Sequence, residues 1–203
     1  MTTTLHKGDI PANLNFGSIV AVDTETLGLN PIRDPLCLVQ LSAGDGNAHI
    51  VQLDRKTYKA PNLAKLLSNP KIIKIFHFAR FDVGVIKHYM NIACTPIYCT
   101  RTASKLTRTY TDKHGLREVC REMLGIEMNK QYQASDWGAE NLSDEQIQYA
   151  SSDVLYLHKL KQGFDVMLER EGRTELAQKC FDFLPVRAEL DLAGWADSDI
   201  FEH

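Results

Sequence analysis

The stretch IVAVDTETLGL, residues 19–29, passes from an apolar run directly into two carboxylates. Residues 18–25 are rich in β-branched and other apolar side chains, which predicts a central strand. Because side chains alternate along a strand, Asp23 and Glu25 should lie on one face. Two carboxylates held that close repel each other unless a cation or a shared proton offsets the repulsion. The stretch therefore predicts two carboxylates at a strand end that share a cation or a proton, with two acids on opposite sides of a turn, each meeting water, as the alternative.

The remainder of the chain alternates strand and helix patterns at first and then becomes mainly helical. The predicted strands cover residues 36–43, 48–53 and 71–77, and the predicted helices cover residues 60–70, 79–90, 101–107, 115–125 and 143–172. Ser143 and Gln146 form a predicted capping box at the start of the last helix, and Gly172 ends it. These patterns predict an α/β fold with a mixed central sheet flanked by helices.

Composition indicates an ordinary globular protein. The chain has 203 residues, of which 44% are hydrophobic and 24% charged. This length and composition are typical of one large domain, or of one domain with a small extension. No segment approaches the ~18 apolar residues needed to span a bilayer, and the N-terminus lacks the pattern of a signal peptide. A cytoplasmic protein without a membrane partner is therefore expected. The five cysteines include no C-x-x-C pair, and we expect reduced thiols.

Charge is unevenly distributed along the chain. Residues 55–130 carry 15 Lys/Arg and 5 Asp/Glu, whereas the remainder carries 8 and 21, for a net charge of -3. Net acidity disfavours non-specific binding of long nucleic acid. A basic segment beside clustered carboxylates is compatible with a small anionic substrate and metal ions, although these charges could simply solvate helix faces.

Two further acidic motifs follow the first. Asp82 falls in the first turns of the helix predicted after residues 71–77, and α/β proteins often bind ligands where a strand gives way to a helix. Tyr149 and Asp153 are spaced i, i+4, which places both on one helical face. Taken singly, Asp82 could be a solvated helix-start residue, Tyr149 a core residue, and Asp153 a cap or a lysine partner.

Together, these acids resemble the DEDD superfamily of 3′–5′ exonucleases, and the tyrosine resembles the DEDDy branch, which includes ribonuclease D. The histidine branch has a His five residues before the last Asp, where this chain has Gln148. HFARFD, residues 77–82, matches a motif that more often reads H-N-A-x-F-D, with Phe78 in place of Asn. The segments RTASKL, HGLREVC and KQYQASDWGAENLSDEQIQYASSDVLYLHKL resemble the corresponding ribonuclease D blocks.

This resemblance covers about residues 15–170, and a chain of 203 residues is not expected to hold the additional helical domains of ribonuclease D. A short DEDDy chain of this kind is similar to the nanoRNase C family, which acts on very short oligoribonucleotides, down to dinucleotides, and forms a ring-shaped octamer. The resemblance implies a ribonuclease H-like exonuclease domain over residues 1–184. It also implies a homo-oligomer, an octamer by resemblance. Residues 185–203 are expected to form an extension that contacts a neighbouring subunit or gates the substrate site, with packing within the chain as the alternative.

The implied reaction is hydrolysis of short RNA from the 3′ end to nucleoside 5′-monophosphates with two divalent metal ions, Mg²⁺ or Mn²⁺. By resemblance, Asp23 would bind both ions, Glu25 and Asp153 would complete the first site, and Asp82 would hold the second. Glu25 would also reach the terminal 3′-hydroxyl. By the same resemblance, Tyr149 would orient the attacking water. An ordinary phenol is a poor base at neutral pH, so the lowered pKa of metal-bound water would account for most of the deprotonation.

The resemblance also implies a set of substrate contacts. Thr26 and Leu27 would line the floor under the terminal nucleotide, with Leu27 resembling a wedge between bases; a plain core leucine is the alternative. His77 would either touch the substrate or cap the following helix. The other candidates are Phe81, Arg101, Arg108, Lys130, Gln133, Ser135, Asp136 and Trp137. The two arginines are candidate phosphate contacts, whereas Trp137 would pack the domain if it does not stack on a base.

Two alternative functions stay open. The first is an exonuclease that acts on longer RNA or on single-stranded DNA, since net acidity does not exclude DNA. The second is an inactive nucleic-acid-binding module of the same fold, for which loss of a metal-binding carboxylate would be the usual sign. All four acids and the tyrosine are present, which favours an active enzyme.

Overall fold

A mixed β-sheet forms the centre of the protein. The computed structural model describes residues 2–128 and 135–203. Within them the strands are Thr3–Lys7 (β1), Ile19–Thr26 (β2), Leu36–Ser42 (β3), Ala48–Gln52 (β4), Ile73–Phe76 (β5) and Ile97–Cys99 (β6). They lie in the order β1-β4-β3-β2-β5-β6. Strand β3 is antiparallel to both β2 and β4, and the other neighbouring pairs are parallel.

Helices flank this sheet. They are Pro61–Leu67 (α1), Ala79–Met90 (α2), Thr100–Thr107 (α3), Leu116–Leu124 (α4), Asp144–Leu155 (α5), Leu157–Arg170 (α6) and Thr174–Leu190 (α7), and a π-helical turn, Asp191–Trp195, follows. The predicted mixed sheet flanked by helices is confirmed. In the described ranges, none of these helices is both long and apolar enough to cross a membrane.

The middle of the sheet determines where the acidic motif lies. Every residue of β3 is buried, as expected for a strand covered on both faces. Strand β2 pairs with β3 as far as Thr26, but its pairing with β5 extends only from Ile19 to Ala21. Asp23 and Glu25 therefore lie beyond the last paired residue on the β5 side, near the start of α2.

The helix predicted over residues 143–172 is two helices in the structure. Tyr156, with φ -105° and ψ -9°, separates α5 from α6. The two helices need different directions, because α5 packs on β2, β3 and β4 whereas α6 packs on α3, α4 and β5. The predicted capping box of Ser143 and Gln146 is confirmed, and Gly172 lies just beyond α6 with a positive φ of 63°.

Three elements were not predicted from the sequence. Strand β1 is largely exposed, so its sequence carries no apolar alternation, and β6 is only three residues long. Helix α7 was missed because it contains Pro185, a residue that usually ends a helix. The predicted domain boundary at residue 184 consequently falls inside α7.

The C-terminal turn is held against α2 by charge. Arg80 of α2 forms two hydrogen bonds with the Asp191 carboxylate, and Arg187 also pairs with Asp191 at 3.0 Å. The aromatic side chains of Trp195 and Phe201 near this end are exposed. Ionic contacts to Asp191 therefore hold the turn in place of buried aromatic rings.

Candidate active site

Three carboxylates converge where β2 meets α5. Asp23 and Glu25 from β2 and Asp153 from α5 each offer an oxygen, and these oxygens lie within 4.8 Å of one another. Helix α5 packs across β2, β3 and β4, so its last turn brings Asp153 over the strand. The three side chains are half-buried. The carboxylates of the first and third sequence motifs are therefore neighbours in space.

Asp82 approaches the same region from α2. It lies in the first turn of the helix and is almost fully buried. The Thr24 hydroxyl donates a hydrogen bond to Asp82 Oδ1 over 2.7 Å. Asp82 is not one of the three carboxylates that share a centre, but its charge is coupled to that of Asp23. The structure thus brings all four predicted acids into one region: Asp23, Glu25 and Asp153 form a compact group, and Asp82 lies beside it.

The electrostatics of the cluster favour a cation. Burial raises the pKa of Asp23 to about 7. Burial, followed by repulsion from Asp23, raises the pKa values of Glu25, Asp82 and Asp153 well above their ordinary range. A bound cation would stabilise the ionised form of these carboxylates, because its positive charge offsets their mutual repulsion. Hard carboxylate oxygens are suitable ligands for Mg²⁺ or Mn²⁺, so the residues present fit divalent metal ions.

A cavity of about 260 Å³ opens onto the cluster. It is lined by Asp23, His77, Arg101, Gly115, Leu116, Arg117, Glu118, Met128, Tyr149 and Asp153. The larger cavity, of about 690 Å³, is lined by Arg55, Trp137 and Gly138 among others and includes none of the four acids. The 260 Å³ cavity is therefore the one that contains acidic residues of the cluster, and two arginines, Arg101 and Arg117, also line its wall.

Tyr149 lines this cavity one helical turn before Asp153. Burial, together with the charges of Asp153 and Glu25, raises the pKa of the phenol. The hydroxyl therefore keeps its proton at neutral pH and acts as a hydrogen-bond donor. Its ring lies 5.9 Å from the Trp137 ring, between centroids. Packing on Trp137 thereby fixes the direction of the phenol.

The structure places the Trp137 ring in the interior of the domain. Trp137 is only 2% exposed and belongs to a hydrophobic cluster with Cys37, Leu38, Ile50 and Ala150. A ring buried in this way cannot stack on a base without displacing its neighbours. The alternative interpretation, that Trp137 packs the domain, agrees with the structure.

The structure excludes the expected helix-capping role of His77. The ring lines the cavity, but Nδ1 lies 2.8 Å from the Thr100 hydroxyl and Nε2 lies 3.0 Å from the His114 carbonyl oxygen. Neither nitrogen is left for the substrate, and helix α2 has no side-chain cap. Burial lowers the pKa of His77 to about 3, so the ring is neutral and joins β5 to neighbouring segments.

The two candidate phosphate-binding arginines differ sharply. Arg101 lines the cavity, and its guanidinium lies 4.8 Å from the centroid of the Phe78 ring. Arg108 is 0% exposed and forms an ion pair with Glu122. It also donates hydrogen bonds to the Ser104 hydroxyl at 3.0 Å and the Lys113 carbonyl at 2.8 Å. The prediction of a phosphate contact at Arg108 is therefore wrong, because its donors hold the fold together.

The loop after the first motif presents Leu27 and encloses Thr26. Leu27 is 45% exposed, so the alternative of a plain core leucine is wrong. Thr26 is buried, and its hydroxyl donates to the Gly28 carbonyl. A Cβ at Gly28 would lie 2.2 Å from an Asp34 carboxylate oxygen, so any larger residue would require the Asp34 side chain to shift. This close approach shapes the loop that carries Leu27.

The segment after residue 134 borders Leu27. A Cβ on Gly138 would lie 3.0 Å from Leu27 Cδ2, and the Gly138 N–H donates to Asp136 Oδ1 at 3.0 Å. Asp136 is exposed, and Ser135 is half-buried. Phe81 packs partly against the main core. Lys130 and Gln133 lie outside the described residues.

Other features of the site were not expected from the sequence. Thr24, between the two acids of the first motif, points to the opposite face and binds Asp82; strand alternation was the signal that could have suggested this. Arg117 lines the cavity, without any distinguishing pattern around it. Phe78 has a positive φ of 77°, a conformation that a bulky residue adopts only under strain and that Asn tolerates better.

Comparison with known proteins identifies the family. The 3′–5′ exonuclease family profile matches residues 9–169. NrnC from Brucella melitensis, solved with bound Mg²⁺, is 55% identical, with a TM-score of 0.96 and 100% of each chain covered. The structure of the same protein bound to pGG is 56% identical, with a TM-score of 0.97 and 100% and 99% of the two chains covered.

Ribonuclease D from Nitrobacter hamburgensis is 28% identical over 93% of this chain and 51% of its own length. The chain thus spans about half the length of the curated relatives it matches. The resemblance to ribonuclease D and to nanoRNase C that was inferred from the motifs is confirmed, as is the ribonuclease H-like exonuclease fold. The chain belongs to the 3′–5′ exonuclease family and, within it, to the group that contains NrnC.

Proposed function

We propose that this protein is a metal-dependent 3′–5′ exoribonuclease that hydrolyses short oligoribonucleotides, including dinucleotides, to nucleoside 5′-monophosphates. The observation that carries this proposal is the convergence of Asp23, Glu25 and Asp153 within 4.8 Å. It is supported by end-to-end similarity to a protein solved with Mg²⁺ and with pGG.

The acids would divide the task of holding two divalent ions. Asp23, Glu25 and Asp153 form the compact group, and Asp82 supplies a fourth carboxylate fixed by Thr24. When bound, such ions supply positive charge that stabilises the attacking and leaving oxygens of phosphodiester hydrolysis. Glu25 would also accept a hydrogen bond from the terminal 3′-hydroxyl, which would direct cleavage to the 3′ end.

The remaining residues would orient the reactants. Tyr149, held protonated, donates a hydrogen bond that orients the attacking water. Arg101 in the cavity wall attracts the phosphate, and the exposed Leu27 contacts the terminal nucleotide. Water adds to phosphorus, the bond from phosphorus to the 3′-oxygen breaks, and that oxygen gains a proton. Each turnover thus releases one nucleoside 5′-monophosphate.

An assay over substrate length tests this function. We would incubate the wild type and an Asp153→Asn variant with Mg²⁺ and labelled RNA of two, seven and twenty nucleotides, and with single-stranded DNA. Asp112→Asn, at an exposed carboxylate, serves as the matched control. We expect the wild type and the control to hydrolyse the dinucleotide while Asp153→Asn does not. An intact dinucleotide would overturn the short-substrate proposal, and preference for twenty nucleotides or DNA would favour the alternative exonuclease activities.

We also propose a homo-oligomer, an octamer by resemblance, with residues 185–203 at its interface. Exposed apolar side chains cluster near this end: Phe183, Val186, Trp195, Ile200 and Phe201. The Phe183 and Phe201 rings lie 6.2 Å apart, and exposed apolar patches of this kind mark protein interfaces. Light scattering should give an octamer for the wild type and smaller species for Phe201→Ser. A monomeric wild type would contradict the proposal.

A cytoplasmic location is also proposed, on the basis of thiol chemistry. All five cysteines are free, and four are buried, a pattern that suits a reducing compartment. Cell fractionation should recover the protein with cytoplasmic markers. Recovery in a secreted fraction would contradict this location.

A further inference from the structure

Gln40 is an unusual residue in the middle of β3. Its side chain is 0% exposed, yet neither its amide nitrogen nor its amide oxygen has a hydrogen-bond partner among the described residues. Other buried polar side chains in the sheet do have partners: the Ser42 hydroxyl donates to the Asn47 carbonyl at 2.7 Å. Because a buried amide without hydrogen-bond partners destabilises the folded state, its presence needs an explanation other than packing.

The register of the sheet shows which way this amide faces. Gln40 lies directly opposite Asp23 on β2 and Ile50 on β4. Residues opposite each other in antiparallel strands point to the same face, with Cβ atoms about 4.5–5.5 Å apart. Helix α5 covers this face, and Ile50 joins an apolar cluster with Ala150. Of the two cross-strand neighbours, Asp23 is therefore the one that offers a hydrogen-bond acceptor.

We propose that Gln40 is a positioning residue of the cation site: its side-chain N–H, which is unpaired among the described residues, donates to the Asp23 carboxylate when a divalent ion is bound and holds that carboxylate in the orientation that binds the ion. This inference rests on the proposed function. An ionised carboxylate has about four acceptor positions, so Asp23 can bind a cation and still accept from Gln40. Carboxylates that bind metals are commonly held in this way, and loss of the outer partner weakens metal binding about 10–100-fold.

A positioning role and a packing role predict opposite effects on stability. Gln40→Met replaces the amide by an apolar group of similar shape. If Gln40 mainly fills space, a mismatched replacement should destabilise the fold. If it orients Asp23, the metal-free fold should be as stable or more stable, because a poorly satisfied buried amide has been removed, and cation binding should weaken.

The test measures both properties without RNA. We would titrate Mn²⁺ into the wild type, Gln40→Met and a Leu38→Met control by calorimetry, and follow thermal unfolding in EDTA. Leu38 is equally buried on the same strand, opposite Glu25, so the control matches site and substitution. We expect wild-type affinity for Leu38→Met, affinity about 10–100-fold weaker for Gln40→Met, and an EDTA melting temperature for Gln40→Met no lower than that of the wild type.

Unchanged Mn²⁺ affinity in Gln40→Met would overturn the inference, as would a lowered EDTA melting temperature or failure to fold. These failures are distinct from failure of the proposed function. If the wild type hydrolyses RNA and binds Mn²⁺ while Gln40→Met behaves like the wild type, only the role of Gln40 is wrong. If the wild type binds no Mn²⁺, the proposed function fails first.

Discussion

Thr24 donates its hydroxyl hydrogen to Asp82 Oδ1 over 2.7 Å, and this bond joins the strand that carries the first acidic motif to the helix that carries the second. Thr24 lies between Asp23 and Glu25 but faces the other side of the sheet. The three consecutive residues therefore point to two faces of the sheet: Asp23 and Glu25 point towards Asp153, and Thr24 holds Asp82.

Replacing Thr24 by valine should destabilise this arrangement. Valine keeps the shape of threonine but removes the donor, which leaves the buried Asp82 carboxyl without this hydrogen bond. We expect a loss of roughly 1–3 kcal/mol in the free energy of unfolding and a further rise in the Asp82 pKa, because the Thr24 hydroxyl lowers it. Thermal unfolding measures the effect, with Thr24→Ser as the control that keeps the donor. Equal melting temperatures for the valine and serine variants would contradict this prediction.

Stabilisation by Mg²⁺ should increase with pH. Burial raises the pKa of Asp23 from 3.8 to about 7, so the cation-free folded state binds more protons than the unfolded chain between these values. The contribution of this group to stability is full below about pH 4 and is lost as the pH rises to about 7. Because cation binding requires ionised carboxylates, the rise in melting temperature on adding Mg²⁺ should grow from pH 5 to pH 8. A rise that stays constant with pH would argue against the carboxylate cluster.

The two arginines that sequence reasoning grouped together should respond differently to methionine substitution. Arg101→Met should reduce kcat/KM for a short oligoribonucleotide about tenfold or more, because a charge-assisted phosphate contact is lost, with little change in melting temperature. Arg108→Met should leave KM unchanged but lower stability by roughly 2 kcal/mol, or about 4–8 °C. Steady-state kinetics and thermal unfolding of both variants measure this difference. Similar behaviour of the two variants would refute the distinction between a cavity arginine and a structural arginine.

Leu27 should matter to substrate binding far more than its neighbour Leu29. Leu27 is 45% exposed beside Gly138, whereas Leu29 is 88% exposed. Truncating Leu27 to alanine should raise KM about tenfold, as expected if a leucine side chain is buried against the terminal nucleotide. Leu29→Ala is the control and should behave like the wild type. If both variants have the KM of the wild type, Leu27 does not contact the nucleotide.

Sequence patterns predicted the fold class and the acidic residues of the site, because both predictions depend on local periodicity in the sequence. The apolar run forms strand β2 as predicted, and Tyr149 and Asp153, spaced i, i+4, lie on one helix as predicted. The break at Tyr156 could not be predicted in the same way, because it depends on which layers α5 and α6 each cover. Helix α7 was not predicted because it contains Pro185. Proline has no backbone N–H and is usually found at the end of a helix and not in its interior.

Roles of single polar side chains were harder to predict, because they depend on contacts between distant segments. His77 and Arg108 are of residue types that often contact nucleic-acid substrates. In the structure, however, His77 is hydrogen-bonded to Thr100 and His114, and Arg108 is paired with Glu122. Gln40 is the converse case. The sequence shows only one polar residue within an apolar strand, and the register of the sheet was needed to place it opposite Asp23.

The central claim, that Asp23, Glu25, Asp82 and Asp153 hold divalent cations that drive RNA hydrolysis, is tested most directly by titrating Mn²⁺ into metal-free protein. The rate of hydrolysis of a 5′-phosphorylated diribonucleotide would be followed for the wild type and for Asp153→Asn. We predict no hydrolysis in EDTA, a rate that rises with Mn²⁺ to saturation in the wild type, and a rate at least a hundredfold lower in Asp153→Asn, on the order of the loss expected when a group that stabilises the transition state is removed. Hydrolysis that persists in EDTA, or an Asp153→Asn variant with the metal dependence and rate of the wild type, would contradict the account.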